Sequence, residues 1–170
     1  MSLLEKKGFG QVEPNHLSAQ RTGQIYAQLP CNSGIETLEN GQFVQYSYAD
    51  GEIKLTGGSG EPMLVFNEVK LYDPKHSYKD FVYRKVDFTD NKMYPRVFKT
   101  NVGDIFTTNL VECGGRTNFA GLQVKDKLTI NASGQLEYDA SANEDEMVWQ
   151  IVKKYTLADG QNAVKVQRIQ

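Results

Sequence analysis

The chain has 170 residues, a net charge of -2 and 39% apolar residues. That fits one domain, or at most two small ones, and is too apolar for a disordered chain. No run of about 18 apolar residues exists to cross a membrane, and no Lys/Arg block gives the footprint of a nucleic-acid binder.

Met1 to Gly10 lacks the apolar stretch of a secretory signal, so a cytosolic product with reduced thiols is expected. Met1 to about Ser33 shows neither helical nor strand period for long, and it is broken by Gly8, Gly10, Pro14, Gly23 and Pro30. Such a segment buries little by itself, while ordering it costs roughly 1–2 kcal/mol per residue. It therefore reads as an extended arm, residues 1–33, fixed by whatever surface it lies on. A plain disordered tail is the alternative. Its large side chains, Leu17, Arg21, Ile25, Tyr26 and Leu29, are the candidate partner anchors.

Residues 34–170 read as one β domain. Gln42 to Tyr48 mixes aromatic and Val residues with polar ones. Asp50-Gly51 is a tight-turn dipeptide, and Glu52 to Thr56 is the returning strand of a hairpin. Gly57 to Gly60 follows as a flexible loop. Met63 to Tyr72 is the most apolar run and reads as a buried strand ended by Asp73-Pro74. Phe81 to Phe88 alternates in part, and Thr89 to Lys92 is a turn. Arg96 to Lys99 and Asp104 to Val111 are further strands, and Cys113-Gly114-Gly115 breaks the pattern. Leu122 to Ile130 turns through Asn131-Ala132-Ser133-Gly134 into Gln135 to Tyr138. Ala140 to Asp145 is an acidic loop. Met147 to Tyr155 and Ala163 to Ile169, joined at Asp159-Gly160, form the clearest hairpin. Short helices are possible only near Asn32 to Glu39 or Ser77 to Phe81.

The expected fold is therefore all-β: a small barrel or sandwich of about ten short antiparallel strands, with an extended N-terminal arm. One internal echo stands out. Val102-Gly103-Asp104-Ile105-Phe106-Thr107 resembles Val124-Lys125-Asp126-Lys127-Leu128-Thr129, with Val, Asp and Thr at the same offsets. An Asp in a turn can hydrogen-bond the backbone just before a strand starts.

The chemistry-bearing residues are sparse. The two histidines, His16 and His76, lie in the arm and in the turn after Asp73-Pro74, poor places for a pre-organised base. A dyad of Cys113 with His76 has no local signature. Cys31 and Cys113 read as small buried thiols, with a disulfide between them as the alternative. No CxxC, HxH or HExxH spacing is present, and Glu144-Asp145-Glu146 reads as a solvated loop rather than a calcium site. Gly57-Gly58-Ser59-Gly60 lacks the residues of a phosphate loop. No catalytic residue, metal site or cofactor is expected, and the protein reads as a non-enzyme. The tyrosines say more. Tyr46, Tyr48, Tyr72, Tyr78, Tyr83, Tyr94 and Tyr155 are too many for one small core, and Tyr is enriched at interfaces.

Three segments carry a family resemblance: Gly10 to Pro30 (GQVEPNHLSAQRTGQIYAQLP), Met63 to Tyr72 (MLVFNEVKLY) and Pro95 to Asp104 (PRVFKTNVGD). They are similar to structural proteins of tailed bacteriophages, in particular the small head proteins that decorate or cement the capsid. The resemblance implies a β body on the outside of the major capsid protein lattice, a homo-oligomer (trimer or dimer), and an arm over neighbouring subunits. It implies a virion protein made in the host bacterial cytoplasm, with no nucleic-acid or membrane partner and no catalytic residue to carry over. Two rival readings remain: a carbohydrate- or receptor-binding β module of a fibre, neck or baseplate, and a small hydrolase with a dispersed site.

Overall fold

The structure, a computed structural model, describes residues 4, 8–13, 29–58, 60–67, 82–84, 94–143 and 146–170. Thirteen strands lie among them. A seven-stranded sheet has the order β1-β8-β13-β12-β10-β11-β9, built from β1 (Val12–Glu13), β8 (Ile105–Thr108), β9 (Val111–Glu112), β10 (Lys127–Ile130), β11 (Leu136–Tyr138), β12 (Trp149–Thr156) and β13 (Asn162–Arg168). A four-stranded antiparallel sheet has the order β4-β3-β5-β7, from β3 (Phe43–Ser47), β4 (Glu52–Leu55), β5 (Met63–Val65) and β7 (Val97–Lys99). A ribbon pairs β2 (Thr37–Glu39) with β6 (Val82–Arg84).

The smaller sheet is a middle layer, and its composition shows why. Along β3 and β5 successive side chains point to opposite faces. Phe43, Leu64 and the adjoining Phe66 join the main core against Phe106, Leu128, Trp149, Ile151, Val164 and Val166 of the large sheet. Val44, Met63, Val65 and Val97 join a second core with Ile35, Leu38 and Ile53. A strand covered on both faces must be apolar at every position, which is why Met63-Leu64-Val65-Phe66 is an unbroken apolar run. The large and small sheets thus form a sandwich, not a closed barrel.

The strands are not all antiparallel: β9 and β11 run parallel, Val111 beside Leu136 and Glu112 beside Glu137. After β9 the chain turns at Cys113-Gly114 and makes a single 3-10 turn, Phe119–Gly121, capped by Asn118. It then crosses back through β10. Gly114, at φ +53, lies so close to β11 that a Cβ there would meet the Tyr138 carbonyl oxygen at 2.4 Å. The helix allowed for near Asn32 to Glu39 is absent. Asn32 Oδ1 accepts from the Gly34 amide at 2.9 Å, closing a local turn, and Leu38 in β2 is fully buried. Ser77 to Phe81 lies outside the described residues.

Parts of the expected arm belong to the body. Leu4 is buried in the main core, and β1 pairs with β8 through Val12–Thr108 and Glu13–Thr107. The Gln11 amide donates to Asn109 Oδ1 at 2.7 Å, and Gly10 donates to the Glu39 carboxylate. Residues 14–28 lie outside the described residues. The chain leaves the small sheet after Asn67 and returns at Arg96. Asn67 Oδ1 accepts from the Arg96 amide at 2.7 Å, and Asn67 exchanges hydrogen bonds with Asn40 at 2.8 and 3.1 Å.

The repeated sequence has a structural counterpart. In each copy the Asp closes the turn: Asp104 Oδ2 accepts from the Asn101 amide, and Asp126 Oδ2 from the Gln123 amide, both at 2.8 Å. The residue before each Asp has positive φ, Gly103 at +97 and Lys125 at +77. Gly103 donates to the Arg168 carbonyl, and Arg168 returns a bond to Asp104. Lys125 donates to the Ile151 carbonyl, and Ile151 returns a bond to Asp126. Since Gln150 pairs with Gln167 and Ile151 with Val166, the two halves are related by a local two-fold axis through the Gln150–Gln167 pair. It exchanges β12 with β13 and β8 with β10.

Candidate functional site

The β3–β4 hairpin is built to hold its shape. Gly51, at φ +65, donates to the Ser47 carbonyl at 2.8 Å, a backbone geometry that suits glycine. Asp50 Oδ2 takes the Ser47 hydroxyl and Lys54 Nζ, each at 2.6 Å. Those contacts, the Lys54 hydrogen bond first, hold the Asp50 carboxyl below its ordinary range. Asn32 Nδ2 reaches Glu52 Oε1 at 2.6 Å. The Cys31–Ile53 bridge, with Ile53 donating to the Pro30 carbonyl and Asn32 to the Ile53 carbonyl, lays residues 30–32 along the β4 edge.

On this frame Tyr46 and Tyr48, two residues apart, share a face. Their rings meet edge to face, centroids 6.0 Å apart at 74°. Tyr46 is half-buried against the second core, while Tyr48 is 75% exposed. The pair lines a shallow groove of about 180 Å³ with Gln45, Gly60, Glu61, Met63 and Lys99. Glu61 and Lys99 close one side as an ion pair at 2.6 Å. The groove thus has an aromatic wall, an apolar floor at Met63 and fixed charges of both signs. It can hold a side chain or a ring by stacking and hydrogen bonding.

Leu29 packs against the second core, beside Cys31. Leu17, Arg21, Ile25 and Tyr26 lie outside the described residues, as do His16, His76, Tyr72, Tyr78, Glu144 and Asp145. Cys31 and Cys113 are not joined in a disulfide. Cys113 is buried in the main core. Cys31 is half-buried, and burial pushes its thiol up to about 11, so at neutral pH it is a poor nucleophile. No group of three His, Cys, Asp or Glu side chains among the described residues is arranged to hold a metal ion. No helix among them is long and apolar enough to cross a membrane. The sequence flagged both Tyr46 and Tyr48, but no periodicity tied them to Glu61 and Lys99, which reach the groove from the β5 approach and from β7.

No family model, no curated protein and no solved structure matches this chain.

Proposed function

We propose that the protein is a non-catalytic structural component that docks on a larger protein assembly, and that this assembly is the capsid lattice of a tailed bacteriophage, on whose outer surface it acts as a decoration or cement protein. The observation that carries the docking role is Tyr48, 75% exposed and braced by Tyr46 above the groove. A large ring held rigid at a surface loses little conformational entropy when a partner covers it, which is the physics of an interface hot spot. The phage identity is supported by the sequence resemblance alone.

Such a protein works by mass action. It binds the assembled lattice and not the separated subunits, so it stabilises the shell by its binding free energy. Purified protein should co-sediment with assembled heads and not with dissociated capsid subunits, and Tyr48→Ala should weaken that binding by about tenfold. Protein that stays in the supernatant with intact heads overturns the reading.

The groove favours a second reading, a carbohydrate-binding module, because Tyr48 stands beside the Gln45 amide and the Glu61 carboxylate. A glycan array separates the two: saturable binding to one sugar class, lost in Tyr48→Ala, decides for the carbohydrate.

A further inference from the structure

The face of the large sheet turned away from the core carries the same feature twice. Trp149, Ile151, Val164 and Val166 point into the core, so Gln150 and Gln167 stand on the opposite face, paired at its centre. Val152 is the extra residue of a bulge between Ile151 and Lys153. Four exposed aliphatic side chains surround that centre: Val102 at 62%, Val124 at 52%, Val152 at 40% and Ile169 at 37%.

Their positions are not independent. The local two-fold axis carries Asp104 onto Asp126 and Arg168 onto Ile151, so it carries Val102 onto Val124 and Ile169 onto Val152. Because Gly103 bonds to Arg168 and Lys125 to Ile151, Val102 adjoins Ile169 and Val124 adjoins Val152. The molecule therefore shows two equivalent aliphatic patches, on the order of 20 Å apart by strand spacing and rise.

The charged side chains of β10, β12 and β13 on this face are lysines, one level with its centre and two beside the Val124–Val152 patch. Lys153 pairs directly with Lys165 across β12 and β13, an arrangement that costs stability in an isolated sheet. Lys127 is exposed on β10, and Lys165 leans over the Tyr155 ring at 5.8 Å. None of these three lysines is in an ion pair among the described residues, and β8, β10, β12 and β13 carry no carboxylate on this face. Carboxylates stand beyond these four strands: Glu13 on β1, Glu112 and Glu137 on β9 and β11, and Asp139 just after β11, whose amide donates to the Lys127 carbonyl and whose carboxylate accepts from the Thr129 hydroxyl at 3.4 Å. A second copy of the same basic face would be repelled, whereas an acidic surface is complementary.

We propose that this face docks on a protein surface that presents one site twice about a two-fold axis, each site an apolar recess with acidic residues alongside. Adjoining copies of a single subunit in a symmetric shell offer such a surface. The inference rests on the assembly-docking reading above and adds the partner's symmetry and charge.

The test measures the affinity of assembled heads for the full-length protein and for Val102→Asp, Val124→Asp and the double variant, with thermal melting to confirm that each folds. Both positions are exposed turn tips, so melting temperatures should stay near the parent's. Each single variant should weaken binding by a similar factor, about tenfold, and the double by about the product. Lys153→Glu should weaken binding and flatten its salt dependence. Parent-like binding by the double variant overturns this inference while leaving the docking reading intact. A loss in only one of the single variants overturns the two-fold symmetry. Failure of the parent itself to bind heads overturns the docking reading, and this inference with it. Concentration-dependent dimers in light scattering, abolished by the double variant, also overturn it, because the face is then covered by a second copy.

Discussion

At Gly134 the missing side chain is the structural requirement. The residue has φ +72, and a Cβ there would lie 2.3 Å from the Phe43 carbonyl oxygen. That closeness lets the β10–β11 turn touch the small sheet: the Phe43 amide donates to the Gly134 carbonyl at 2.6 Å, and Gln42 Nε2 to the Ser133 carbonyl at 3.1 Å. Gly103 offers the comparison, with φ +97 and nothing within 4 Å of its absent Cβ. Gly103→Ala should cost only the left-handed backbone penalty, about 1–2 kcal/mol. Gly134→Ala adds a collision with backbone that cannot move aside, and should cost roughly 2–5 kcal/mol in all. Urea denaturation of the two variants checks this; equal losses would mean that the turn does not bear on β3.

At the scale of elements, the short β1 is held by a polar network at the β12–β13 turn as well as by its ladder to β8. Gln11 Nε2 donates to Asp159 Oδ2 at 2.9 Å. Gln161 donates to the same carboxylate through its side chain at 2.6 Å and its backbone at 3.1 Å. Asn109 Nδ2 bonds Gln161 Oε1 at 3.3 Å. Burial pushes the Asp159 carboxyl up, but the hydrogen bonds from Gln11 and Gln161 outweigh it and hold the group below its ordinary value. A carboxyl depressed in the folded state contributes stability above its unfolded value, near pH 4, and loses that contribution as pH falls through the folded value. Between pH 5 and pH 2.5, therefore, exchange at the Gln11 and Val12 amides, corrected for intrinsic rates, should gain on exchange in β12 and β13. Asp159→Asn should flatten that dependence, and an unchanged pH profile in the variant would remove Asp159 from the account.

Legibility in the sequence follows the same scale. The β3–β4 and β12–β13 hairpins were readable because Asp50-Gly51 and Asp159-Gly160 announce turns between alternating runs. The β1, β2 and β9 strands were not. Two or three residues cannot show a period, and each exists only because a neighbouring strand completes its ladder. The burial of Leu4 and Val12 is not legible for that reason: they belong to a main core whose other members, Phe106 and Val164 among them, lie far along the chain. The echo of Val, Asp and Thr was visible as a pattern. Its meaning, two turns bonded alike to the central hairpin, depended on a register that sequence does not state. The groove was half legible, through its tyrosines.

For the whole molecule, the deciding question is whether the two sheets unfold as one. Trp149 sits where they meet, fully buried, its ring 4.9 Å from Phe106 of the large sheet and 5.8 Å from Phe43 of the small one. Phe43 and Phe106 stand 6.5 Å apart, so the three rings form one contact across the sandwich. The Gly134–Phe43 bond adds a backbone link between the sheets. A core shared in this way leaves neither sheet a stable surface without the other, which favours a single cooperative transition. Trp149→Ala should cost about 3–5 kcal/mol, a large fraction of the 5–15 kcal/mol typical of a domain. The loss should be the same in both layers. Slow-exchanging amides of Val44 and Leu64 should lose protection by the same factor as those of Val164 and Val166, on the order of 1000-fold. Leu38→Ala, in the second core, should act more strongly on the β2–β6 ribbon than on either sheet, whose slow amides should lose protection together. If Trp149→Ala leaves the small-sheet amides protected, the three-ring contact does not couple the layers, and the small sheet with its second core is a folding unit of its own.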